Sequence, residues 1–144
     1  MWLRQGAAAR PRMQQLEKHM ASNKAPHIAW LSEVEEHDYP AADAYLRLLY
    51  ADEKVRSMVQ RLRDAAVTQF KAKDIFRASQ LALLGVSNTH VQKDGQKIGA
   101  GTPLSPLLLV RDEAHGRVVI ADGYHRLCAV YAVDEDALIP CKIV

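Results

Sequence analysis

The stretch Ile120-Ala-Asp-Gly-Tyr-His-Arg-Leu-Cys-Ala129 decides the fold, because it joins the end of a strand pattern to the start of a helix pattern. The β-branched residues just before Ala121 predict a strand over residues 117–121. Apolar residues at helical spacing follow and predict a helix over residues 124–133. We therefore expect a strand-to-helix turn at residues 122–123.

Charged and flexible residues cluster at this turn. Asp122 and Gly123 are turn formers, and His125 and Arg126 fall in the first turn of the predicted helix. The N–H groups at a helix start carry partial positive charge, and a guanidinium beside them adds a full one. The turn therefore predicts an anion site. A plain structural alternative is that Asp122 and Arg126 pair with each other at the surface.

Strand patterns lie on both sides of this stretch. Residues 107–110 form a continuous apolar run, which predicts a strand buried on both faces. Turn formers at residues 112–116 make residues 117–121 its hairpin partner, and residues 139–144 predict a last strand. The C-terminal third is thus expected to form a small sheet with one helix.

The segment before these strands is harder to interpret. Residues 81–84 are apolar and predict either a short strand or a buried connection. Residues 89–98 predict a helix that Gly95 weakens, because glycine lowers helix stability. Asn88 and His90 lie near its start and are possible polar contacts for a ligand.

Three amphipathic helices are predicted further upstream. Asp38 and Asp52 are interpreted as the N-caps of the first two, and the third covers about residues 71–79. The side chains expected to face the core are Ala42, Tyr45, Leu46 and Leu49 in the first helix, Val55, Met58, Val59, Leu62 and Ala66 in the second, and Ala72, Ile75 and Phe76 in the third.

Composition excludes several classes of protein. The chain has 144 residues, of which 49% are hydrophobic, and a net charge of +2, so bulk charge gives no argument for nucleic acid. No apolar run approaches the ~20 residues of a membrane helix. The two cysteines lack C-x-x-C spacing and no protein-bound metal is predicted; a reduced, cytoplasmic protein that does not enter membranes is expected.

Residues 1–26 predict a basic N-terminal arm. Five basic residues face a single acid, Glu17, and apolar periodicity is weak. The arm is interpreted as a disordered, solvated extension, and contact with nucleic acid is the alternative. The second helix carries a basic face with the same two interpretations; it consists of Lys54, Arg56, Arg61 and Arg63.

The order strand, turn, strand, Gly-x-x-Arg, helix, strand resembles the ParB/sulfiredoxin superfamily. The matching residues are 104–111, 118–129 and 138–144. This resemblance implies an α+β fold in which N-terminal helices pack on a small mixed-sheet domain. Residues 27–79 would be a helical extension, and residues 80–144 would be the α/β core, with both parts in one compact unit.

Members of this superfamily bind nucleotides or phosphates at the Gly-x-x-Arg turn. Carried over, Gly123 would let the backbone approach a phosphate, and Arg126 would bind it with a charged fork. His125 would donate a hydrogen bond or a charge. Asp122 would cap the helix, hold Arg126 or reach a metal ion carried by a nucleotide, and Tyr124 would border the ligand.

Two departures separate this chain from the best-known branches. Tyr124 stands where sulfiredoxins have their reactive cysteine, so a thiolate mechanism is not expected. The turn also lacks the Glu-Arg pair of the chromosome-partitioning proteins. The form Asp-Gly-x-His-Arg is more similar to the free-serine kinases of the superfamily.

Three functions follow as expectations. The first is a nucleotide- or phosphate-binding module that senses its ligand without chemistry. The second is a kinase-like phosphotransferase that uses a nucleotide with Mg²⁺, with Asp122 or Asp74 as base or metal contact and His125 as a further catalytic candidate. The third, less favoured, is a nucleic-acid-binding or nuclease domain.

Overall fold

The computed structural model describes residues 27–85 and 88–144, so the predicted arm lies outside the described residues. The helices and strands follow in the order α1 (Asp38–Leu46), α2 (Asp52–Asp64), β1 (Thr68–Lys71), α3 (Ala72–Ser79), α4 (Thr89–Ala100), β2 (Leu107–Asp112), β3 (Arg117–Asp122), α5 (Tyr124–Val133) and β4 (Leu138–Ile143). A 3₁₀ turn, Glu113–His115, joins β2 to β3. This content confirms the predicted α+β class.

The four strands form one mixed sheet in the order β1-β4-β2-β3. The hairpin partners β2 and β3 are antiparallel, as predicted, whereas β2 and β4 are parallel. A parallel neighbour needs a crossover connection, and α5 provides it by carrying the chain from β3 past β2 to β4. The strand-to-helix turn at Gly123 therefore lies at the C-terminal end of β3, an outer strand of the sheet.

Helices cover both faces of the sheet. Leu107 and Leu109 of β2 face a core shared with α3, α4 and α5. Leu108 and Val110 face the opposite way, into a core shared with α1 and α2. All four side chains are at most 2% exposed, which confirms the prediction of a strand buried on both faces.

Strand β1 was not predicted from the sequence. Its four residues are all exposed, and they show no alternation of apolar and polar side chains that would mark a strand. They form a strand because their backbone pairs antiparallel with the outer edge of β4. Residues 27–79 therefore contribute a strand to the sheet as well as helices.

The prediction for residues 81–84 was wrong, because they form neither a strand nor a buried connection. Leu81 is 41% exposed and Leu83 is 48% exposed. The backbone carbonyl of Ala82 accepts a hydrogen bond from the hydroxyl of Tyr124. A side chain of α5 thus holds this segment at one carbonyl, and the exposure of the segment leaves its other backbone groups open to water.

Both predicted N-caps were also wrong. Asp38 and Asp52 are the first helical residues, and His37 and Ala51 hold the cap positions without side-chain hydrogen bonds. The side chain of Asp38 lies inside the protein and is only 3% exposed. It therefore serves a contact outside its own helix.

The predicted core faces of the first two helices need partial correction. Helix α1 ends at Leu46, so Leu49 no longer follows the helical period, and Asp38 and Tyr39 take the buried face instead. Tyr45 is 41% exposed and Leu49 is 42% exposed. Ala66 is exposed because α2 ends two residues before it. The remaining predicted core residues are buried or partly buried.

Across residues 27–85 and 88–144, every helix is too short or too polar to cross a bilayer. Cys128 and Cys141 are free thiols inside the protein. Burial raises the pKa of the Cys141 thiol to about 11. It is therefore protonated at neutral pH and unreactive as a nucleophile.

Gly123 fixes the path of the chain from β3 into α5. Its φ of +109° lies in the left-handed region, which residues with a Cβ atom rarely adopt. A Cβ atom at this position would lie 2.7 Å from Cγ of Leu107 and 3.0 Å from Nη2 of Arg126. The glycine is thus required by packing against the sheet, and its expected role of admitting a phosphate stays a prediction.

We expect Gly123→Ala to lower the free energy of unfolding by at least about 2 kcal/mol, because backbone strain and overpacking add. Gly95→Ala is the matched control. Gly95 lies inside α4, and a Cβ atom added there would meet no heavy atom within 4 Å, so this change should stabilise the protein by up to ~1 kcal/mol. Urea unfolding of both variants checks the contrast, and equal effects would contradict it.

Candidate functional site

A cleft of about 270 Å³ opens where α4 passes the start of α5. Its walls come from one face of α4 and from the turn that joins β3 to α5. The lining residues are His90, Lys93, Asp94 and Lys97 on α4, and Asp122, Gly123, Tyr124, His125 and Arg126 at the turn. Most of the residues predicted to form a site therefore line one cleft.

The start of α5 offers backbone donors to this cleft. Within residues 27–85 and 88–144, no side chain caps the helix. The first intrahelical bond runs from the N–H of Leu127 to the carbonyl of Gly123 over 2.9 Å, so the N–H groups of residues 124–126 precede it. Such groups need an acceptor from outside the helix and favour an anion.

Two imidazole rings lie beside these donors. The ring centroids of His90 and His125 are 4.7 Å apart, with the planes inclined by 41°. The ring of Tyr124 lies 5.8 Å from that of His125. Lys93 and Lys97 follow His90 at helical spacing on the same face of α4. The cleft thus combines two lysines and two histidines with two acids.

Arg126 lies at the inner wall and already has partners within the protein. Its Nη2 donates to Oδ2 of Asp122 over 2.9 Å and to Oδ2 of Asp38 over 3.4 Å. The side chain is 17% exposed, and its buried Nε has no hydrogen-bond partner among the described residues. Both carboxylates contact the same nitrogen, Nη2, while Arg126 also lines the cleft. Its expected role as a fork for a phosphate stays a prediction.

Asp38 is the member of this cluster that the sequence did not indicate. Its Oδ2 accepts a hydrogen bond from the hydroxyl of Ser105 over 2.5 Å, and Ser105 Oγ in turn accepts the backbone N–H of Glu35 over 3.0 Å. The contact between Asp38 and Arg126 spans 88 residues of sequence. No local pattern reveals such a pair.

Asp122 has a perturbed acid–base equilibrium. Burial raises the pKa of its carboxyl group above the usual range, and the negative charge of Asp38 adds to this effect. The positive charge of Arg126 and its hydrogen bond lower the pKa in opposition. Burial is the larger cause, so the charged form of Asp122 is costly despite its ion pair.

Tyr124 contributes to structure as well as to the cleft wall. Its hydroxyl donates to the carbonyl of Ala82 and so fixes the exposed 81–85 connection to α5. Burial raises the pKa of both the Tyr124 hydroxyl and the Cys128 thiol beside it. Neither group is therefore activated as a nucleophile near neutral pH.

Two other predicted candidates are not part of the cleft. The side chain of Asn88 caps α4 by accepting hydrogen bonds from the N–H groups of His90 and Val91. Asp74 lies on α3 and lines a different, mainly apolar groove with Phe70 and others. Of the two carboxylates suggested as a base, only Asp122 lines the cleft.

The residues Lys93, Asp94 and Lys97 line the cleft but are absent from the sequence-based prediction. The spacing of the two lysines from His90 places them on its face of the helix, so a signal was present. Gly95 obscures it, because a glycine inside the pattern makes this helix look like a weak connection. The charge of the cleft therefore comes largely from α4 and only partly from the Gly-x-x-Arg turn.

Two of the four basic side chains on α2 make surface contacts with other residues of the chain. Arg63 forms an ion pair with Glu36 over 2.6 Å and stacks on the ring of Tyr39 at 4.2 Å. Lys54 lies 4.7 Å from the ring centroid of Tyr50. All four side chains are exposed, but these contacts occupy two of them, so the face is a weak footprint for nucleic acid.

Comparison with known proteins gives no relative from which a role can be transferred. No family model matches the chain, and neither a curated protein nor a solved structure matches it. The function is therefore inferred from the geometry of the cleft and its charges.

We expect Arg126→Met to lower the free energy of unfolding at pH 7 by about 3 kcal/mol or more, because it leaves buried carboxylates without their cation. The raised pKa of Asp122 then rises further. A carboxyl whose pKa is higher in the folded state than in the unfolded chain stabilises the fold on protonation. The loss should therefore shrink as the pH falls from 7 through the raised pKa.

Arg47→Met is the matched control for this measurement. Arg47 also pairs with two carboxylates, Asp43 at 2.6 Å and Asp52 at 2.9 Å, but its side chain is 36% exposed. Solvent screens such surface pairs, so its removal should cost much less. Urea unfolding at pH 7 and pH 5 compares the two variants, and a small, pH-independent loss for Arg126→Met would rule out the buried cluster.

Proposed function

We propose that the cleft between α4 and the start of α5 binds a phosphate-bearing small molecule of the nucleotide class. The protein would act as a binding or sensing module without chemistry of its own. The observation that carries this proposal is the uncapped start of α5, which faces a cleft lined by Lys93, Lys97, His90 and His125. Backbone N–H donors together with the ammonium groups of the lysines suit a phosphate group.

The size of the cleft supports a small ligand. Small-molecule sites commonly measure ~300–1,000 Å³, and this cleft holds about 270 Å³. A phosphate group with part of its attached nucleoside would fill it, and the remainder of the ligand would extend into solvent. The resemblance of the Asp-Gly-Tyr-His-Arg turn to the ParB/sulfiredoxin superfamily supports the same ligand class.

A binding role is favoured over catalysis by the state of Arg126. In phosphoryl transfer, free cationic groups stabilise charge on the transferring phosphate. Arg126 is already held by Asp122 and Asp38. The lysines of α4 remain available to the ligand, and each can bind a phosphate as a point charge.

A kinase-like phosphotransferase is the second candidate, and the state of Asp122 is the observation that favours it. This carboxyl group lines the cleft, and burial raises its pKa. A carboxylate with a raised pKa is a better general base than a solvated one. In this alternative a nucleotide with Mg²⁺ supplies the phosphoryl group, and Asp122 accepts the proton of a substrate hydroxyl.

We expect the thermal unfolding midpoint to rise with ATP, ADP, CTP or inorganic phosphate, tested with and without Mg²⁺, because a ligand that binds only the folded state stabilises it. Replacing Lys93 and Lys97 together by Gln should remove most of this rise. The double variant Arg56→Gln/Arg61→Gln removes the same charge from α2 and should keep it.

The comparison of the two double variants decides the proposal. Loss of the rise in the α4 variant alone supports the cleft. Equal loss in both variants would mean nonspecific charge effects, and no rise with any of these compounds in the unmodified protein would exclude the site.

Incubation with ATP and Mg²⁺ and a mixture of free amino acids separates the two candidates. If the protein is a sensing module, phosphorylated amino acids form no faster with the protein than without it. A phosphorylated product that disappears in Asp122→Asn, while nucleotide binding remains, would establish the kinase-like alternative in place of the sensor.

A further inference from the structure

The turn that precedes α1 brings three potential metal ligands together. One ligand atom each of Glu35, His37 and Asp38 lies within 4.8 Å of the other two. Nε2 of His37 is 2.9 Å from Oε2 of Glu35 and 3.2 Å from Oδ1 of Asp38. A single ring nitrogen carries at most one hydrogen, so this nitrogen offers one proton to two carboxylate oxygens.

We infer that Glu35, His37 and Asp38 form a binding site for a divalent first-row transition metal of the Zn²⁺ type. Imidazole nitrogen with carboxylate oxygens is a common donor set for such ions. Metal–ligand distances of about 2.0–2.2 Å place neighbouring ligand atoms of a tetrahedral site ~3.4 Å apart. The present separations from Nε2 of His37, 2.9 and 3.2 Å, are slightly shorter, so the side chains would have to spread slightly to bind the ion.

The carboxylate of Asp38 is held in place before any metal binds, and the backbone of Glu35 is anchored beside it. Asp38 is 3% exposed, and Ser105 and Arg126 bind its Oδ2, which leaves Oδ1 directed to His37. The backbone N–H of Glu35 bonds to the same Ser105 Oγ over 3.0 Å. Ligands that are positioned in advance lower the entropy cost of binding.

The charge of the region also favours a cation. Glu35 and Asp38 place two carboxylates beside His37, and Arg126, which lies 3.4 Å from Asp38, is also paired with Asp122 over 2.9 Å, so negative charge is in excess there. A dication beside His37 would compensate the excess. Glu36 is not available for this, because it pairs with Arg63 over 2.6 Å.

The exposed side of the site leaves room for further ligands. The side chain of His37 is 77% exposed and that of Glu35 is 41% exposed, so water or a substrate oxygen can complete the coordination. A closed structural zinc site would instead have four protein ligands. The site is therefore of the open type, and its nitrogen donor favours Zn²⁺ over Mg²⁺ and Ca²⁺, which prefer oxygen ligands.

The test uses the full chain after removal of metals with a chelator. Isothermal titration with ZnCl₂ should detect binding of one equivalent of Zn²⁺. His37→Ala should lower the affinity for Zn²⁺ at least ~10-fold, since loss of even a residue that only orients a ligand typically costs 10- to 100-fold in affinity. Glu35→Gln should weaken it as well. Glu36→Gln changes the same charge one residue away and should bind as the unmodified protein does.

Asp38 is left intact in this experiment because its loss would also release Arg126 and threaten the fold. His125→Ala controls for the pair of histidines in the cleft, His90 and His125, and should still bind one equivalent of Zn²⁺. Binding unchanged in His37→Ala, binding lost in His125→Ala, or no binding by the unmodified protein would each overturn the site. The inference does not depend on the proposed function, because phosphate-induced stabilisation can be measured in His37→Ala separately.

Discussion

The guanidinium of Arg126 between two carboxylates is the interaction on which this structure depends. Asp122 reaches it from the end of β3, and Asp38 reaches it from the start of α1. A buried ion pair is costly to form and more costly to break, so this cluster ties the start of α1 to the end of β3, beside the apolar core that α1 and α2 share with the sheet. Gly123 is required at the same place, because a side chain there would collide with Arg126 and Leu107.

This constraint redistributes the roles expected at the strand-to-helix turn. The two carboxylates at Nη2 offset part of the charge of Arg126, so the lysines and histidines that flank the start of α5 take the main anion-binding role in our proposal. The same cluster places Asp38 beside Glu35 and His37. One buried aspartate thus connects the proposed phosphate cleft, the sheet and the inferred metal site.

Local features of the fold could be predicted because local patterns encode them. The apolar run of β2, the hairpin and the Asp122-Gly123 turn all follow from short stretches of sequence. Strand β1 could not, since its pairing with β4 depends on backbone hydrogen bonds to a distant edge. The actual role of Asp38, which the sequence suggests is an N-cap, could not be predicted for the same reason. Its partners Ser105 and Arg126 are 67 and 88 residues away.

Backbone NMR tests most directly whether the start of α5 binds an anion. Inorganic phosphate is titrated into ¹⁵N-labelled protein at constant pH and ionic strength. We expect saturable shifts of the amide signals of Tyr124, His125 and Arg126, together with residues of α4 that line the cleft. Shifts that do not saturate, or that concentrate on α2 while these three amides stay unchanged, would contradict it.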